Sequence, residues 1–128
     1  MIECLDHLVL TTADENACIH FYVDVLGMRL EHFGPGNKRK AFHFGHQKIN
    51  LHVKGREFEP HAHLPVPGSL SLCFIVNVTL DEIIARLNAL DVLIEAGPVS
   101  RRGAVSDIRS VYVRDPDLNL IELAVVVR

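Results

Sequence analysis

The sequence predicts an α+β protein built from two tandem βαβββ modules, and three observations predict it. First, one layout is written twice. Gly45-His46-Gln47-Lys48-Ile49-Asn50-Leu51-His52 and Asp115-Pro116-Asp117-Leu118-Asn119-Leu120-Ile121-Glu122 each lead from a turn into a strand carrying a polar donor, at an offset of 70 residues. Second, each half begins with a strand-like run followed by a helical stripe. Third, Lys54-Gly55-Arg56 opens a stretch holding Pro60, Pro65, Pro67 and Gly68, after which the same order starts again. Prolines remove ladder donors and fix φ, so this stretch reads as a linker. The expected organisation is one domain, with module 1 over about 1–54, the linker over about 55–68 and module 2 over about 69–128.

In module 1, residues 5–11 alternate with β-branched content and form the first strand. A helix over about 15–26 follows from the spacing of Ile19, Tyr22, Val23 and Leu26, with Asp14 as its cap and Gly27 just past its end. Strands are expected near 28–33, 40–44 and 48–53. In module 2, residues 70–76 form a strand, and Thr79-Leu80-Asp81-Glu82 is a capping box. Leu80, Ile83, Ile84, Leu87 and Leu90 then make the apolar stripe of a helix. Strands over 94–99, 108–114 and 119–127 complete the half. A four-stranded sheet covered by its helix on one face must bury the other face elsewhere, so curved mixed sheets around a cleft are expected.

Composition excludes several classes. Of the 128 residues 48% are apolar, enough for an ordinary interior. The net charge of −3 leaves no electrostatic footprint for nucleic acid. The basic run Asn37-Lys38-Arg39-Lys40 follows Gly34-Pro35-Gly36 and reads as a solvated hairpin loop. No apolar run is long enough to span a bilayer. The N-terminus has no signal-peptide pattern, and Cys4, Cys18 and Cys73 lack CxxC spacing, so a cytoplasmic setting is expected.

Strand alternation sets the candidate site. His7 shares a face with Leu5, Val9 and Thr11; Asn50, His52 and Lys54 share another; and Glu122 shares a third with Leu118, Leu120 and Ala124. Glu122 stands out because its strand is apolar on both faces, and a desolvated carboxylate needs a partner. A divalent metal held by His7, His52 and Glu122 would compensate it, since imidazole plus carboxylate suits Ni, Zn, Mn, Co or Fe. Hydrogen-bonded core or edge histidines, with Glu122 paired to Arg114, Arg109 or an arginine of a neighbouring chain, are the competing reading. His61 and His63 read as loop histidines and Cys73 as inert packing. Arg101-Arg102-Gly103 is a solvated loop or an anion clamp.

Leu5-Asp6-His7-Leu8-Val9-Leu10, Phe21-Tyr22, Leu26-Gly27-Met28 and Asp115-Pro116-Asp117 with Asn119-Leu120-Ile121-Glu122 resemble the vicinal oxygen chelate superfamily of glyoxalase I, extradiol dioxygenases and bleomycin-binding proteins. The stretches 58–60 and 65–69 further resemble small glyoxalase-domain proteins of virulence-associated type. The resemblance implies paired βαβββ modules, a homodimer, a small-molecule substrate and a divalent metal. It implies ligands at His7, His52 and Glu122, with Ser71 at a fourth position that many metal-dependent members fill with His. It implies a glyoxalase I-like lyase or isomerase acting on vicinal oxygens, with Glu122 as the base that transfers the proton. A non-catalytic protein that sequesters a drug or metabolite is the alternative, and an extradiol dioxygenase fits least with Ser71.

Overall fold

The computed structural model describes residues 1–128, which fall into two units, Met1–Ser69 and Leu70–Arg128. In the first unit β1 is His7–Thr12, α1 is Glu15–Ile19, and β2, β3 and β4 are Arg29–Phe33, Arg39–Phe44 and Gln47–Val53. In the second, β5 is Ser71–Ile75, α2 is Leu80–Ala89, and β6, β7 and β8 are Ala96–Arg102, Asp107–Arg114 and Leu120–Val126. Each unit forms its own four-stranded mixed sheet. The orders are β1-β4-β3-β2 and β5-β8-β7-β6, with the first pair of each parallel and the rest antiparallel. The doubled βαβββ layout is therefore the architecture. The segment 55–68 has no helix or strand and clusters with the first unit rather than standing between modules. No helix is long and apolar enough to cross a membrane.

The first helix differs from the single α-helix expected over 15–26. Asp14 caps it by accepting from the Ala17 amide at 3.1 Å, but after Ile19 the chain widens into a π-helix over His20–Val25. The Leu26 amide donates to Phe21 O, five residues back, and Gly27 leaves the helix at φ 78°. The helical segment buries Cys18, Phe21, Tyr22 and Val25, and the Tyr22 ring stacks on Phe42 of β3 at 5.1 Å.

In the second unit the capping box forms as predicted: the Glu82 amide donates to Thr79 Oγ1 at 3.1 Å and the Thr79 amide to Glu82 Oε2 at 3.2 Å. Such a box contributes about 1 kcal/mol. Ile83 and Leu87 are buried, together with Val111, Val113, Ile121 and Leu123. Leu90 is 43% exposed, because the helix ends at Ala89 and Leu90 is already its C-cap.

The two turns expected to be equivalent differ in build. β3 and β4 are joined by Gly45-His46 alone, with Gly45 at φ 52°. β7 and β8 are joined by a five-residue loop closed by side chains. Asp115 Oδ1 accepts from the amides of Asp117 and Asn119, both at 2.9 Å, and Oδ2 accepts from Asn119 Nδ2 at 2.7 Å. Asn119 Oδ1 then accepts from the Leu70 amide at 2.8 Å, and the Leu120 amide donates to Leu70 O. These bonds dock the start of β5 beside β8, which sets the register that brings Cys73 level with Glu122.

Candidate functional site

Pairing registers confirm the predicted faces within each sheet. In the first unit Thr11 pairs with His52, Val9 with Asn50 and His7 with Lys48, so His7 and His52 share one face. β3 pairs Ala41 with Asn50 and His43 with Lys48, and Phe33 of β2 lies opposite Arg39. In the second unit Cys73, Glu122 and Tyr112 form one row, and Ser110 and Ala124 the next.

His52 is the most unusual residue of this set. It is 2% exposed, and neither Nδ1 nor Nε2 has a hydrogen-bond partner. Desolvation, then the nearby Arg39 guanidinium, hold its pKa below the ordinary 6.5, so the ring is neutral and keeps a lone pair. Phe58 covers it edge-on, with ring centroids 5.6 Å apart. The Asn50 Oδ1 on the same face is also buried and unpartnered. Two adjacent polar side chains left unsatisfied on one face is an arrangement that folding alone disfavours. A neutral, buried imidazole with free nitrogens is what a metal or a ligand hydrogen-bond donor requires.

His7 opens β1 at the exposed margin of the same face, and its Nδ1 lies 2.8 Å from Asp6 Oδ1. A carboxylate on one ring nitrogen orients a histidine that offers the other. Glu122 is half-buried in the second unit. Its partner is Ser110, whose Oγ donates to Oε2 at 2.5 Å, and not Arg114 or Arg109 as the competing reading had it. Arg114 is committed to Glu95 at 3.0 Å and to the Leu118 carbonyl. Ser110 sits where Gly97 bulges out of β6. A Cβ on Gly97 would lie 2.4 Å from Ser110 O, so only glycine permits this approach. Burial, then Glu122, push the Cys73 thiol up to about 11, which makes it unreactive at neutral pH.

Within neither unit do three His, Cys, Asp or Glu side chains stand together as a group that could hold a metal ion. His7 and His52 lie on a face of the first sheet and Glu122 on a face of the second. His7 and Ser71 each open the first strand of their unit and pair there with Lys48 and Leu120, so the registers keep Ser71 as the counterpart of His7 and make Asn50, two residues before His52 on the same face, the counterpart of Glu122.

Other readings resolve similarly. Arg39 and Lys40 are not loop residues: they begin β3, partly buried, and Lys40 pairs with Glu15. Arg101, next to last in β6, donates from Nε to Tyr112 Oη at 3.1 Å, while Arg102, the last, pairs with Asp107 at 3.2 Å. His61 contacts the Ala62 carbonyl and Glu59, and its charge acts on His52. Phe58, Arg39 and Ser110 are the site residues that sequence reasoning missed. An aromatic isolated in a proline-rich stretch was the one available signal for Phe58.

The profile of the Glyoxalase/Bleomycin resistance protein/Dioxygenase superfamily matches residues 4–123. The chain is 50% identical over 123 residues to a glyoxalase domain-containing protein, RDO1, of Mycosarcoma maydis, covering 96% of this chain and 68% of that protein. It is 46% identical over 124 residues to the virulence protein STM3117 of Salmonella typhimurium, covering 97% and 85%. The crystal structure of that virulence protein superposes with a TM-score of 0.95 over 99% of both chains. A lactoylglutathione lyase of Agrobacterium tumefaciens shares the fold, at 24% identity and a TM-score of 0.73 over 98% of this chain and 95% of that one.

Proposed function

The chain belongs to the glyoxalase/bleomycin resistance protein/dioxygenase superfamily, and from that premise we propose that it is a metal-dependent lyase or isomerase resembling glyoxalase I. Its substrate is a small molecule with vicinal oxygens. The observation that carries this reading is His52: buried, neutral and without a partner at either nitrogen. His52, His7 and Glu122 are the residues we assign as holders of a divalent metal, one of Ni, Zn, Mn, Co or Fe. When bound, such an ion polarises substrate oxygens as a Lewis acid.

The chain's own groups supply the rest. Asp6 orients the His7 ring. Phe58 shields His52 from water. Glu122, held through Oε2 by Ser110, is the base in this reading: it takes a proton from one substrate carbon and returns it to the neighbouring carbon, leaving composition unchanged. Superfamily members commonly form dimers, and we assign the complete set to a homodimer. Metal titration of untagged protein tests the reading, and failure to bind any of the five metals at micromolar concentration sinks it. Mixing His52→Ala with Glu122→Gln protomers tests the dimer: about a quarter of the wild-type sites should return on random reassortment, and none if each chain holds its own set.

A second reading, sequestration of a small molecule without turnover, is favoured by the Phe33 and Phe58 rings beside the cations of the first sheet. His7→Ala separates the two. Turnover lost with the mutation supports the enzyme; ligand affinity unchanged with no turnover in either form supports the binding protein.

A further inference from the structure

We propose that the His52 face of the first unit carries an oxyanion subsite, built by Arg39 and Lys48 around Phe33 and Phe58, that takes a carboxylate or phosphate group of the substrate. One residue beyond the Lys40–Leu51 pair, the β3–β4 register brings Arg39 level with His52, and Arg39 in turn pairs with Phe33. The Arg39 guanidinium lies over the Phe58 ring at 4.7 Å and the Phe33 ring at 5.5 Å. Lys48 reaches across the same face to put Nζ 4.2 Å from the Phe33 centroid. Two cations thus converge on one aromatic ring beside a buried face where His52 and Asn50 lack partners.

Charges gathered this way call for an anion, and no carboxylate of the chain pairs with either: Glu31 lies 2.9 Å from His43 Nε2, Glu57 accepts twice from the Gly55 amide, at 2.8 and 2.9 Å, and Glu59 lies 3.2 Å from His61 Nε2. Cation–π contact holds a guanidinium in place but uses none of its five N–H donors. Arg39 and Lys48 have no ion pair, and their side chains donate no hydrogen bond within the chain, so those donors stay available for a forked acceptor. The position is also built. The Cβ that Gly34 lacks would lie 3.1 Å from the Arg39 Cγ and Cδ, and the turn residue holds φ 76°, so glycine makes room for the arginine stem. The subsite names the substrate class of the site proposed above and rests on that reading only for what the rest of the substrate meets.

The test is a nuclear magnetic resonance titration of the metal-free, untagged full chain with succinate and with inorganic phosphate, at constant ionic strength set with chloride. Saturable shifts of the Arg39 Nε–Hε and the Phe33 and Phe58 rings are expected with at least one of the two anions, and which of them saturates identifies the group. Arg39→Gln should weaken that binding about tenfold, and Lys48→Met by a comparable factor should Arg39→Gln not fold. Shifts that stay linear and match those of chloride, or saturation unchanged in both variants, overturn the subsite. Titration of the same samples with each of the five metals separates the two proposals. Anion saturation without metal binding sinks the metal reading alone, whereas metal binding that does not fall in Arg39→Gln, with no anion saturation, sinks this one alone.

Discussion

The two units share one topology and treat their key polar residue in opposite ways. In the first, His52 lies under Phe58 with no hydrogen bond, and Asn50 beside it is equally unsatisfied. In the second, Glu122 has Ser110 on one oxygen and Cys73 level with it on the neighbouring strand. The turns that precede them differ in the same sense. Gly45-His46 is a bare two-residue link, while Asp115 and Asn119 close their loop with three side-chain bonds and tie it to Leu70 with a fourth. The first unit leaves these polar groups without partners. The second satisfies its own and thereby fixes where its carboxylate points.

The largest effect should come from the loop that makes this difference. Asn119→Ala removes the acceptor for the Leu70 amide and the donor to Asp115 Oδ2, leaving both without that partner in a buried place. A loss of about 3 kcal/mol is expected by urea unfolding. In the first unit Gly45→Ala, with open space around the new Cβ but φ at 52°, should cost only about 1 kcal/mol. Equal costs would mean that the two turns do the same job and that the side-chain loop is dispensable.

A smaller effect probes the second face directly. In a Cys4→Ser background, which removes the other exposed thiol, Cys73 should react slowly with iodoacetamide at pH 8, because its thiol is raised to about 11. Burial is the larger cause and Glu122 the next. Glu122→Gln should therefore speed alkylation about fivefold without making it fast. An unchanged rate would show that burial alone suppresses the thiolate and that the Glu122 charge is not felt at Cys73.

What was legible in the sequence follows from what period and turn chemistry encode. The capping box at Thr79, the strand alternation around His7, His52 and Glu122, and the doubled order of elements are local patterns, and each holds in the structure. What was missed depends on register between strands or on a segment folding back. Arg39 looks like part of a charged loop until β3–β4 pairing brings it level with His52. Phe58 carries no periodicity, so its contact with His52 has no sequence signature. The 70-residue offset aligns His52 with Glu122, whereas parallel pairing aligns Asn50 with Glu122 and His7 with Ser71, a two-residue difference that only register reveals. Arg114 was a plausible partner for Glu122 by charge, yet Tyr112 and not Arg114 pairs with Glu122 across the strands.

The comparison is sharpest at His52, where stability and function should part. A buried imidazole without hydrogen bonds costs desolvation and returns nothing to the fold, so His52→Leu should leave stability at pH 7 unchanged or raise it by about 1 kcal/mol. The same substitution should abolish metal binding. The pH dependence carries the same signature. The folded-state pKa lies below the ordinary 6.5, so beneath pH 6.5 the unfolded chain takes up a proton that the folded chain refuses. The His52 contribution is therefore neutral above pH 6.5, and stability falls as pH drops from there toward the folded value. His61, raised by the Ala62 carbonyl, works in the opposite sense but is common to both proteins. Subtracting the His52→Leu profile from that of the wild type isolates the His52 part, read from urea midpoints between pH 7 and pH 5. A flat difference would mean that the ring is solvated in the folded state, and a destabilised His52→Leu would mean that it has a structural partner; either outcome removes the reason for regarding the first unit's face as held open.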